Sequence, residues 1–159
     1  MDVSENTDQC VHRESTSQRV TRHQILSRCL EFMREELPCW REASDSDLYA
    51  WLGWHFDMGL LAPIGDERTG KLAALLAVRC VDNPEDFEND YAHHKGGKIC
   101  IAELLIATDP QALELAIVGL AARIGFPVYL MHGRPWRLEP KIMLWSQFER
   151  HLRKLYAPA

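Results

Sequence analysis

Apolar residues change their period several times along this chain, and each change marks an element. The first twenty positions are rich in Ser, Thr, Asp, Glu and Arg with almost nothing to bury, and residues 1–20 read as a mobile arm. At Thr21 the pattern turns helical. Thr21 and Gln24 have capping-box spacing, and Ile25, Leu26, Cys29, Leu30 and Met33 recur at helical intervals as far as Pro38, where a helix stops. Ser44 and Asp47 repeat the start signal, and Leu48, Trp51, Leu52, His55 and Met58 draw a second stripe that ends at Gly59.

Beyond Gly59 the runs become strand-like. Leu60 to Ile64 and Lys71 to Val81 flank the turn material GDERTG, which predicts two antiparallel strands. Residues 82–98, with five acids in their first nine positions and a glycine pair near the end, predict a long exposed loop. Ile99 to Ala107 is a strongly apolar strand interrupted by Glu103. Asp109 and Pro110 then supply an N-cap and a first helical position, and a nearly all-apolar body runs to Gly125. Such a helix is buried against a sheet. Phe126 to Met131 predicts a further strand, so residues 99–131 form a right-handed crossover between parallel strands. HGRPWRLEP reads as a loop or a short strand, and residues 141–156 show helical spacing through Ile142, Trp145, Phe148, Leu152 and Leu155. The expected architecture is one α/β domain over residues 21–159, a mixed and mostly antiparallel central sheet flanked by helices.

Composition narrows the classes of function. With 159 residues, 47% of them hydrophobic and 26% charged, the chain has ordinary globular usage. No run reaches the roughly 18 residues of a membrane span, and the N-terminus lacks the apolar centre of a signal peptide, which predicts no membrane partner and a cytoplasmic location. The five cysteines are odd in number and contain no CxxC pair, poor material for a disulfide framework or a zinc finger. A net charge of -5 repels phosphate backbones, so nucleic acid is not an expected partner. The basic run from Arg134 to Lys154 is a solvated helix face in this reading.

The order helix, helix, three strands, helix, strand, helix resembles the GNAT superfamily of acetyltransferases over residues 21–156. In that family the long central strand leads into a loop of pattern Gln or Arg, two variable residues, Gly, one variable residue, then Gly or Ala. Its amides hold the pyrophosphate of acyl-CoA at a helix start, where unpaired N–H groups and about half a positive charge attract an anion. Gln111, Ala112, Leu113, Glu114, Leu115 and Ala116 follow the strand ICIAELLIA here; the first and last motif positions agree, and Glu114 stands where the family has glycine. The resemblance implies acetyl-CoA or another acyl-CoA as cofactor, held by Leu105, Ala107, Gln111, Ala112 and Ala116. It implies a small-molecule or protein amine as acceptor.

It also assigns roles. A carboxylate on the central strand serves such enzymes as a base, which makes Glu103 the candidate, and a buried carboxyl of raised pKa suits that task. Outward pairing with a basic neighbour such as Arg79 explains the same residue. Tyr129 and Tyr156 are candidates for the acid that reprotonates the departing thiolate, with core packing as the alternative. His93 and His94 invite comparison with Cys80 and Cys100 as zinc donors, but the second closely spaced donor pair is missing and no metal is expected. His132 sits at a strand end, where parallel sheets place ligands, or simply caps a loop. Trp40, Trp51 and Trp54 gather around the second helix, either as core or as an aromatic face for a protein partner or a second copy of the chain. Two functions follow: a GNAT-like N-acyltransferase that moves an acyl group from acyl-CoA to an amine, its cofactor site kept or lost, or a non-catalytic binding or assembly module on that fold.

Overall fold

A computed structural model describes residues 20–40, 42–125, 127–134 and 137–155. The N-terminal arm up to residue 19, Phe126 and Tyr156 lie outside the described residues. Two helices, α1 (Arg22–Glu36) and α2 (Asp45–Asp57), are joined by a short 3-10 turn at Pro38–Trp40. Strands β1 (Leu61–Gly65), β2 (Leu72–Val81) and β3 (Ile99–Ala107) follow, then helix α3 (Pro110–Ile124), strands β4 (Tyr129–Arg134) and β5 (Arg137–Leu144), and helix α4 (Trp145–Leu155). Both expected caps form. Thr21 and Gln24 close a reciprocal capping box on α1, and the Ser44 hydroxyl accepts from the Asp47 amide at the start of α2.

The strands lie in one open sheet of order β1-β2-β3-β4-β5, antiparallel throughout except for the parallel pair β3–β4. This is the mixed, mostly antiparallel sheet that the pattern predicts. Helix α3 is the crossover between the parallel strands.

Two packed layers explain the apolar spacing. On one face Leu26 and Met33 of α1 and Leu52 of α2 pack on Leu75, Ala77 and Leu104. On the other, Leu113, Ala116 and Leu120 of α3, with Trp145 and Phe148 of α4, pack on Leu76, Val78 and Leu130. Each fully buried Leu or Met contributes roughly 1.5–3 kcal/mol relative to exposure. Strand β2 is covered on both sides, which is why its sequence is a continuous apolar run rather than an alternation.

Two boundaries differ from expectation. The strand foreseen over Phe126 to Met131 runs from Tyr129 to Arg134, and the last helix starts at Trp145 because Lys141–Leu144 pair with β4. The run Ile142, Met143, Leu144 fits both a strand and a helix, and pairing with an open strand edge decides between them.

Candidate functional site

The centre of interest is a bulge. Ala77 faces Leu104 across the β2–β3 ladder and Val78 faces Ala102, so Glu103 is the extra residue of β3. In an unbroken ladder Glu103 and Leu104 would point to opposite faces. The bulge instead lets Leu104 join the α1–α2 core while Glu103 reaches Arg79 and His55 on that same side.

Both carboxylate oxygens are engaged. Arg79 Nε donates to Oε1 at 2.5 Å, and His55 Nε2 lies 2.6 Å from Oε2. The other imidazole nitrogen, Nδ1, donates to the Trp51 carbonyl at 2.9 Å, since a carbonyl only accepts. Arg79 is 1% exposed and spreads its remaining N–H groups over three carbonyls: Asp86 at 2.8 Å, Ala92 at 3.0 Å and Phe87 at 2.6 Å. One buried guanidinium thus fastens the loop between β2 and β3 to the sheet. The expected long loop carries a 3-10 turn, Pro84–Glu88, whose carbonyls meet this cation.

Aromatic rings wall the cluster. The His55 ring lies 4.3 Å from Trp51 and 4.8 Å from Trp54, centroid to centroid, and Trp51 in turn leans on Trp40 at 5.7 Å. Trp54 meets Tyr91 edge-on at 5.2 Å and His93 at 6.4 Å. Tyr91 holds φ at 65°, a left-handed conformation that costs an L-residue about 1 kcal/mol or more and is retained where surrounding contacts over-determine it.

The electrostatics run against a general base. Burial alone would raise the Glu103 pKa, but hydrogen bonds from His55 and Arg79, and the charges behind them, outweigh it and hold the carboxyl below its ordinary value. This is the reverse of the raised pKa that a base on this strand requires. Pairing with Arg79, the other expectation for Glu103, is present, directed inward rather than outward.

Tyr129 faces Ile99 in the β3–β4 register, four residues from Glu103 along the strand, and is 39% exposed. The structure does not join the two candidate catalytic residues in one constellation. Ala112 and Ala116 are buried in the α3 side of the core. Gln111 is exposed, and its amide donates to the Asp109 carboxylate at 3.3 Å. The protein's own anion therefore sits where a pyrophosphate would bind, and Pro110 has no N–H to offer. A hollow of about 610 Å³ beside this turn is lined by Glu35, Glu36, Asp66, Glu67 and Asp109 against Arg68 and Lys71, an acidic surround for a phosphate. With Glu114 exposed on the first turns of α3, these residues do not fit a CoA pyrophosphate.

β3 and β4 pair only from Ile99–Tyr129 to Ala102–His132, so Leu105 and Ala107 lie on a stretch of β3 without a β4 partner. A small apolar cavity of about 20 Å³ opens nearby, lined in part by Leu105, Ile117, Trp145 and Phe148. His132 lies inside β4 rather than in a loop, paired with Ala102 and Lys141, and keeps its Nδ1 3.2 Å from the Gly133 carbonyl.

Arg79 enters the sequence reading only as a neighbour, and His55 only as one position of an apolar stripe. A lone arginine inside the ten-residue run of β2 is the signal that marks the cluster, because a guanidinium at a doubly covered position demands a counter-charge. Among the described residues no group of three or more His, Cys, Asp or Glu side chains is placed to hold a metal ion. No described helix is long and apolar enough to cross a membrane. No family model matches this chain, and neither the curated proteins nor the solved structures contain a match to it.

Proposed function

We propose that this chain is a non-catalytic assembly module built on a GNAT-like α/β architecture. The observation that carries the reading is the complete engagement of Glu103 by Arg79 and His55: the one carboxylate placed on the central strand is a structural counter-ion. Its lowered pKa and the Asp109 cap on α3 point the same way.

The tryptophans spend much of their surface on His55 and on one another, so the available apolar surface lies elsewhere. Tyr129, Ile142 and Leu144 share the face of the β4–β5 hairpin opposite α4, in the registers Tyr129–Leu144 and Met131–Ile142, and each is about 40% exposed. Pro140 and Lys141 in β5 discourage pairing along the strand edge, which leaves the face as the contact. The occupant proposed is a second copy of the chain, in which a two-fold axis would set the same three side chains against themselves. Sedimentation velocity tests it. A dimer that Ile142→Asp converts to monomer supports the reading, and a monomer at all micromolar concentrations overturns it.

A second reading, an acyl-CoA-dependent N-acyltransferase, is favoured by the parting of β3 and β4 beside Leu105 and Ala107. Thermal unfolding with millimolar acetyl-CoA or CoA separates the two. A ligand at about 100 times its dissociation constant stabilises the fold by roughly 2.7 kcal/mol, and such a shift would sink the non-catalytic proposal.

A further inference from the structure

Cys80 and Cys100 occupy facing positions on β2 and β3, and both are free thiols buried at 2% and 1% exposure. What distinguishes this pair is the direction of the backbone. The Cys80 amide donates to His93 Nδ1 at 3.1 Å, and the Cys80 carbonyl accepts from the His94 amide at 2.7 Å, so both polar groups point away from β3. The two cysteines therefore form a non-hydrogen-bonded cross-strand pair, the type in which Cα atoms approach to about 4.5 Å and side chains come closest. That separation lies inside the window of about 4.4–6.8 Å that a disulfide spans. Both side chains point to the α3 side, among Val78, Leu120 and Leu130.

We infer that Cys80 and Cys100 are a redox pair that closes to an intrasheet disulfide, with a small peroxide as oxidant. The Cys80 thiolate attacks the peroxide O–O bond, giving a sulfenic acid at Cys80 and releasing water once a proton is taken up. The Cys100 sulfur then attacks the Cys80 sulfur, forming the S–S bond and expelling the sulfenic oxygen as a second water. Two thiols and one hydrogen peroxide become one disulfide and two waters.

The two thiols are not equivalent. The Cys80 pKa is lowered by a hydrogen bond from the Cys100 thiol, whereas that same contact and burial raise Cys100, so Cys80 is the attacking sulfur and Cys100 the resolving one. Access is local. The apolar cavity of about 20 Å³, roughly the room of one water-sized molecule, is lined by Cys100 and not by Cys80, so it lies beside the resolving sulfur rather than the attacking one. The backbone edge of Cys80 away from β3 is held by the loop that carries His93 and His94, both outside any helix or strand, and local opening of that loop is the path by which peroxide reaches Cys80. Cys29, on the buried face of α1 with its pKa pushed up by burial to about 12, has no such partner among the described residues and serves as an internal control.

The test treats the reduced, full-length chain with hydrogen peroxide while circular dichroism shows it folded, blocks remaining thiols with iodoacetamide after unfolding, and maps peptides by mass spectrometry. The expected product joins the Cys80 and Cys100 peptides, reverts with dithiothreitol, and leaves Cys29 alkylated. Its unfolding midpoint rises by about 5 °C or more, as for any cross-link closing a loop of this length. In Cys100→Ala the Cys80 sulfur should progress to sulfinic acid instead. Recovery of both cysteines as alkylated thiols, or cross-links chiefly to Cys10 or Cys39, overturns the inference on the wild-type protein alone, whether or not the variant folds.

Discussion

Arg79 Nε and Glu103 Oε1 stand 2.5 Å apart because β3 carries one residue more than β2 opposes, and that residue is Glu103. A charge pair with exposures of 1% and 14% holds together a helix, a sheet and a loop. Removing one partner is costlier than the pair is worth, since the other is left buried without a counter-charge.

Glu103→Gln keeps the shape and removes the charge that Arg79 faces. Equilibrium urea unfolding should show a loss of about 3 kcal/mol, in the range for breaking a buried pair. A loss below about 1 kcal/mol would mean that water screens the contact as it does on a surface.

Acid should find the same bond. The Glu103 carboxyl titrates lower in the folded chain than in the unfolded one, where it lies near 4.3. Its contribution is complete above that value and is lost as pH falls through the lower folded value. Folding free energy followed from pH 6 to pH 3 should therefore fall more steeply in the wild type than in Glu103→Gln. Parallel curves would remove Glu103 from the account.

His93 adds an earlier step. Burial and the neighbouring His94, His55 and Arg79 hold its pKa below the ordinary value, and its Nδ1 must stay unprotonated to accept from Cys80. The unfolded chain takes up this proton first, so stability should start to decline as pH drops through about 6.5. His93→Asn, which retains a short acceptor, should abolish that early decline in thermal midpoints measured between pH 7.5 and pH 5.5.

Gly97 has a role that no glycine rule in the sequence reveals. A Cβ there would lie 2.8 Å from the backbone nitrogen and oxygen of Val81, where neither strand nor loop has room to yield. Gly97→Ala should cost roughly 1–3 kcal/mol, with hydrogen exchange rising first at residues 92–98 as the loop lifts.

Asp109 decides whether α3 has an anion site in reserve. Asp109→Ala should lose about 1 kcal/mol of helix cap, and Asp109→Ser much less. Neither variant should gain thermal stability from CoA if the acidic hollow repels it; a CoA-dependent rise in Asp109→Ala would reveal a blocked cofactor site.

Local signals in the sequence determined most of the elements. Thr21 with Gln24, Ser44, and Asp109 with Pro110 start α1, α2 and α3 where the structure has them, because a cap is a contact within one turn of chain. Periodicity also placed β1, β2 and β3 and the parallel crossover. It failed at Ile142–Leu144, where a three-residue apolar run serves either period and the β4 edge makes the choice. The role of Glu103 was legible only as two alternatives, a free base or a partner of Arg79. A bulge is a property of two strands counted against each other, so which alternative holds waits on the register between residues twenty-odd positions apart. His55 and the pairing of Cys80 with Cys100 were invisible for the same reason: what each side chain faces is set by packing across the sheet, and nothing in its own neighbourhood of sequence encodes that partner.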